Sequence, residues 1–338
     1  METTALKTTI AYESKLVKRN WLFYLFILGI LGYTLGVLIP WNINQVLWSD
    51  VALASSIPSR SVYFLNLFQS LIVAFIVCDI QRKQRKAETR KVLSTRPISN
   101  GKFFLGGFLG ILIPFLTVDV VFMGITMFIN IFIPDSPANL WVNLFYLLTR
   151  TLPTLIFITG LSLLVNKLIK HPFISWLILI IFLYFAYSYL TTPLHGMLDF
   201  RGSLLPDSFS TLVGFTHIED NLLQRSTFLL LGISFLFFAA PLTKRLAGTP
   251  GRKPYYFIPA SLFLVFSLSL GYLYVEKFQT RLKNRIAYRE AFLKYNEYPT
   301  SRVLSHDITY RPEGDKFSAI SRMSIQNQRK VEMDQLLL

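Results

Sequence analysis

Apolar residues fill long, nearly unbroken runs in this chain, and the charged residues gather in the short gaps between them. Crossing roughly 30 Å of hydrocarbon takes about 20 helical residues. Seven runs have that character: residues 21–39, 62–80, 103–133, 141–165, 172–190, 227–242 and 255–275. The third is longer than a simple span and contains Pro114, which predicts a tilt, a kink or an interfacial start. Beyond residue 275 the period changes twice. Phe278, Leu282, Ile286, Phe292 and Leu293 recur at helical steps, so the seventh span is expected to continue as an amphipathic helix before Pro299. Ile308 and Tyr310, then Phe317, Ala319, Met323 and Ile325, alternate with polar neighbours around "RPEGD", which predicts a β-hairpin. Two strands do not stand alone in water, and the sequence closes on "DQLLL", so a partner or further chain is expected to complete the hairpin.

The fold class predicted is an all-α polytopic membrane protein of six to seven helices, residues 1–275, with an extracytoplasmic tail, residues 276–338, that forms an incomplete β-rich domain. Composition agrees: 52% of residues are hydrophobic, only 16% are charged, and the mean hydropathy is +0.46. The formal charge of +15 does not point to nucleic acid, because it is dispersed over inter-span gaps rather than along one basic face. Cys78 is the sole cysteine, which excludes an internal disulfide and a thiolate metal cage. The first run lacks a small-residue cleavage pattern and reads as an uncleaved anchor.

Lys and Arg near span ends favour the cytoplasmic side. With the N-terminus inside, eighteen basic residues face the cytoplasm, eight of them between Cys78 and Lys102, while the opposite short loops hold Arg60, Arg201 and Arg225 among six acids. The expected location is a cytoplasmic (inner) membrane. Seven spans put the tail outside, although Lys277, Arg281, Lys283, Arg285 and Arg289 follow the last one and pull the other way.

Catalytic motifs are absent. "RPISNGKF" fails as a P-loop because Arg96 stands where the first glycine belongs and Phe103 where the hydroxyl belongs. No H-E-x-x-H or G-x-S-x-G occurs, so neither a zinc site nor a nucleophile elbow is expected, and no cofactor is assigned to the chain. Within the runs, Asp119 and Arg150 are the ionisable residues that cost most to bury. Adjacent antiparallel helices would bring them together, as a structural ion pair or as the polar lining of a translocation route. The stretch "LPDSFSTLVGFTHIEDNLLQR" reads as a short helix on the outer surface, with a gate over a substrate path as the alternative.

The basic loop carries more than charge. Residues 88–95 suit two helical turns, Pro97 forces Arg96 out of the helical region, and Ser99 or Asn100 is placed to cap the third span. Glu88, Leu93, Ser94, Arg96, Pro97, Ile98 and Ser99, followed by "FFLGGFLG", resemble the E-x-x-x-x-L-x-x-x-P-I-S loop and glycine-bearing third span of ABC-2 type permeases, the membrane subunits of ABC transporters. The likeness extends to "DNLLQRSTFLLLGISFLFFAAPLTKRL"; Gly107, where many relatives carry lysine, and a seventh span depart from the family pattern. The resemblance implies a coupling helix that docks on a separate ATP-binding subunit through Glu88, Thr89, Leu93, Arg96 and Pro97, with ATP bound by that partner. It also implies a second permease subunit and substrate export. The tail resembles the junction at which bacterial permeases of this kind are fused to aminopeptidase-like domains; no zinc motif follows, so no peptidase activity is implied. The competing expectation is a non-transporting membrane anchor that displays or assembles an extracytoplasmic, peptidase-like domain.

Overall fold

The computed structural model describes residues 2–40, 53–85, 99–132, 138–169, 171–205, 208–210, 214–243, 253–296, 302–313 and 316–327. It divides into two compact units, Met1–Lys277 and Phe278–Leu338. The helices, in chain order, are α1 (Glu2–Lys18), α2 (Trp21–Leu38), α3 (Ser56–Gln84), α4 (Asn100–Phe132), α5 (Leu140–Leu168), α6 (Pro172–Ser188), α7 (Ile218–Leu242) and α8 (Lys253–Tyr295). Among the described residues, six helices are long and apolar enough to cross a membrane, namely α2, α3, α4, α5, α7 and α8 as far as they are described. The shorter α6 has 17 apolar-rich residues, about 25 Å of helix, at the lower limit of a span.

Helix α1 is not anticipated by the runs, because only a stripe of it is buried. Thr9, Glu13 and Val17 recur at four-residue steps, all within 3% of full burial, and α1 lies along the first half of α4. Gly106 and Gly110 permit the approach: a Cβ on Gly106 would sit 2.8 Å from Thr9 Cγ2, and one on Gly110 would collide with Glu13 Cβ. The chain then turns at Asn20, whose Oδ1 accepts from Leu22 N at 3.1 Å and starts α2. Phe23 and Phe26 of α2 close on Phe115 of α4 with ring centroids 5.4 and 5.3 Å apart, in the largest apolar cluster of the first unit.

Prolines inside the apolar runs account for two of the long-range hydrogen bonds. A proline lacks the N–H that would serve the carbonyl four residues earlier, and lipid offers no water to replace it. Pro114 frees the carbonyl of Gly110, and Ser14 Oγ of α1 donates to it at 3.1 Å, so α4 continues as one helix through the proline. Pro153 frees the carbonyl of Thr149, where α5 widens into a π-turn over Leu147–Thr151, and Arg225 Nε of α7 donates to it at 3.0 Å.

Helices α5 and α7 meet at Gly160 and Gly232, where a Cβ on Gly232 would lie 2.7 Å from Phe157 Cα. Helix α8 lies on α7 and on the turn at His195 through Ala260, Ser267 and Tyr274, buried residues at seven-residue steps. Ser234 Oγ donates to Ala260 O at 2.8 Å, Ser267 Oγ to Thr227 O at 2.9 Å, and Tyr274 Oη to His195 O at 2.9 Å.

The segment before α7 is not the surface helix expected from its composition. Its described residues form a 3-10 turn (Pro193–Gly196) and a minimal antiparallel pair, β1 (Phe209–Ser210) with β2 (Gly214–Phe215). Its last residues, from Ile218, already belong to α7. Aromatic packing decides this: Phe215 stacks on Phe145 at 3.9 Å between centroids, and Phe209 N donates to Ser55 Oγ at 2.9 Å. Glu219 and Asp220 fall in the first turn of α7, where negative charge is favoured, and Lys277 Nζ bridges them at 2.6 and 2.9 Å.

The second unit contains the expected hairpin, β3 (Arg302–Glu313) antiparallel to β4 (Lys316–Gln326), with an irregularity between Val303 and Ser305. Its register puts Ile308, Tyr310, Phe317, Ala319 and Met323 on one face and Asp307, Thr309, Arg311, Ser318 and Arg322 on the other. Tyr310 and Phe317 pack with centroids 5.3 Å apart, yet both rings remain mostly exposed.

Candidate functional site

The loop residues Glu88, Thr89, Leu93, Arg96 and Pro97 lie outside the described residues, whereas both flanks of their segment are described. On the first flank, Arg85 follows α3 and its guanidinium donates to Asn166 O and, at 3.2 Å, to Ile169 O. These are carbonyls at the end of α5, which helix geometry leaves without partners. Burial pulls the Arg85 pKa down, with the nearby Cys78 acting against it. On the second flank, Ser99 Oγ accepts from Lys102 N at 3.3 Å, the cap expected from the sequence.

The same end of α3 carries a ring of polar contacts. Asp79 pairs with Arg82 at 2.9 Å and Lys83 at 2.6 Å and accepts from Asn20 Nδ2 at 2.9 Å. Gln84 Nε2 donates to Glu13 Oε1 at 2.9 Å, tying α3 to α1. A groove of about 760 Å3 opens beside them, lined by Arg19, Trp21, Arg82, Lys83, His171 and Trp176 among others.

Asp119 and Arg150 are not brought together. Asp119 is fully buried, and both its oxygens accept from Gln69 Nε2 of α3 at 2.8 Å. Arg150 donates from Nη1 to Ser59 Oγ at 3.3 Å and from Nη2 to Leu205 O at 3.1 Å, and its guanidinium lies 5.5 Å from the Tyr146 ring centroid. The reason is orientation: Asp119 faces α3, whereas Arg150 sits in the π-turn of α5 against the loop that follows α6.

That loop is the centre of a cluster that joins Arg150 of α5 to Arg201 and Arg225, two residues that by position alone count as loop charge. Arg150, Arg201 and Arg225 are 3%, 4% and 1% exposed, with Asp199 at 1%. Arg225 makes five hydrogen bonds, to the carbonyls of Thr149, Arg150 and Phe200, to Thr154 Oγ1 and to Gln224 Oε1. Gln224 Nε2 donates to Gly196 O and Asp199 O at 3.2 and 2.6 Å. Gly202, at φ +66°, gives the guanidinium room, since a Cβ there would stand 2.9 Å from Arg225 Nη1. The sequence did carry a signal for Arg225: Pro153 in an apolar run requires a donor from elsewhere, and a charged residue at the edge of another run is a natural source.

Among known proteins, the chain matches no family model and no curated sequence. Among the described residues no group of three or more His, Cys, Asp or Glu is placed to hold a metal ion.

Proposed function

We propose that the chain is the membrane-spanning permease subunit of an ABC-2 type ABC transporter, working as a dimer and coupling ATP hydrolysis on a separate ATP-binding subunit to substrate export. The observation that supports this reading is the way the segment between α3 and α4 is held. Arg85 fastens its start to the end of α5, and Ser99 caps α4 at its finish. A short segment held at both flanks transmits a push on it to three helices of the bundle. Glu88, Thr89, Leu93, Arg96 and Pro97 are the coupling contact in this reading, the N-terminus is cytoplasmic, and the membrane is the inner one.

The test is purification of the tagged chain from its native cells in mild detergent, with identification of stoichiometric partners and an ATPase assay. Glu88→Lys or Pro97→Gly is expected to leave insertion intact while separating ATP hydrolysis from transport. A chain that recruits no nucleotide-binding subunit overturns the proposal, as does wild-type coupling in both variants.

A second reading, a membrane anchor for an extracytoplasmic assembly, is favoured by the second unit, whose hairpin carries an exposed apolar face. It predicts that deletion of residues 297–338 abolishes partner capture, whereas the transporter reading predicts that the ATP-binding subunit is retained.

A further inference from the structure

Arg201 has a different situation from its two arginine neighbours. Its side chain is 3% exposed, yet neither Nε nor Nη1 makes a hydrogen bond. Nε forms an ion pair with Asp199 Oδ1 at 3.4 Å without a hydrogen bond, and the same carboxylate accepts from Arg201 N at 3.1 Å, from Ser203 N at 2.6 Å and from the Ser203 hydroxyl. Buried donors left without acceptors are costly. The guanidinium is flanked by aromatic rings, 5.1 Å from the Tyr187 centroid and 5.8 Å from that of Tyr63.

Arg201 also stands at the border of a cavity of about 400 Å3 between α3 and α6, within the roughly 300–1,000 Å3 usual for small-molecule sites. The remaining lining is apolar or aromatic apart from Ser70, and includes Phe64, Leu71, Leu183 and Tyr184. The Ser70 hydroxyl is bonded to Asn66 O at 2.6 Å. Arg201 is therefore the one charged residue among the described residues of the lining. Among the described residues of this loop Asp199 is the acid beside the guanidiniums of Arg150, Arg201 and Arg225, and Arg150 and Arg225 hold carbonyls of the same loop.

We propose that this cavity binds an amphiphile bearing one anionic head, carboxylate or phosphate, on an acyl chain. The head pairs with the guanidinium of Arg201, whose planar fork suits carboxylate and phosphate oxygens and whose covered Nε and Nη1 must turn toward the cavity to donate, and the chain lies along Phe64, Leu71 and Leu183. This binding site is independent of the transport reading and is tested by occupancy alone.

The full chain, in nanodiscs of zwitterionic lipid, is photolabelled with a diazirine-bearing palmitate and the labelled peptides are identified. Labelling is expected in α3 and α6, competed by oleate or dodecyl phosphate but not by methyl oleate, and reduced at least tenfold in Arg201→Gln. Competition by phosphatidylglycerol identifies a bilayer lipid as the source, and competition by oleate alone a free amphiphile; either supports the proposal. Leu71→Trp, which fills the cavity and keeps Arg201, is expected to lose labelling too, and it decides the matter if Arg201→Gln does not elute as a folded species. Equal competition by methyl oleate overturns the proposal, as does unchanged labelling in the folded variants. So does a Tyr184→Cys disulfide between two copies without labelling, which makes a second copy the occupant.

Discussion

The two ends of α3 use arginine in opposite ways. Near Ser59 and Tyr63, Arg150, Arg201 and Arg225 are buried while Arg60 of α3 is half-buried, and two of the buried three are committed to carbonyls of the chain itself. At the other end, Arg82 and Lys83 are 63% and 53% exposed and pair with Asp79 on the same helix, while Arg85 reaches across to α5. Buried guanidiniums act as donors for backbone groups that helix geometry or proline has left unpaired, whereas exposed ones stay available to lipid or to a partner. The first arrangement makes one end of the bundle a closed fastening. The second leaves the other end a working surface, consistent with the coupling role proposed there.

The largest effect that tests this contrast is expected at Arg225. Arg225→Ala removes five hydrogen bonds and strands buried carbonyls, so thermal or denaturant unfolding in detergent should show a loss on the order of 3–5 kcal/mol. Pro153→Ala restores the amide that Thr149 O lacks, so part of that loss should disappear in the double variant. Strict additivity in this cycle would mean that the proline has nothing to do with the arginine. A middle effect is expected at Ser14, where removal of one hydroxyl from Gly110 O should cost about 1 kcal/mol, again less when Pro114 is replaced by Ala. The smallest belongs to the exposed end. Arg82→Ala should change stability by no more than about 1 kcal/mol, since the pair with Asp79 is screened by solvent. A large loss there would break the contrast.

How far these features are legible differs from residue to residue. Ser99 was readable as a cap because a cap depends on its immediate neighbours, and the alternation around Tyr310 and Phe317 was readable as a hairpin for the same reason. The apolar runs located the long helices, since twenty consecutive side chains report their own solvent. Helix α1 is not legible in the runs because Thr9 and Glu13 are polar; what buries them is the pair of glycines on α4, about one hundred residues later. Position alone makes Arg201 and Arg225 loop charges and makes Arg150 a candidate partner for Asp119, whereas Asp119 meets Gln69, because partner choice depends on which way each helix is turned.

The sequence by itself determined the apolar helices, the strand alternation of the tail and the absence of catalytic motifs, all of which are set by local composition and period. Only the tertiary structure decided which side chain answers which orphaned carbonyl. Gly110 O finds Ser14, Thr149 O finds Arg225, and Asn166 O finds Arg85. The physical reason is that a proline or a helix end announces an unmet hydrogen bond locally, while its donor comes from wherever the packed helices bring one within 3 Å or so.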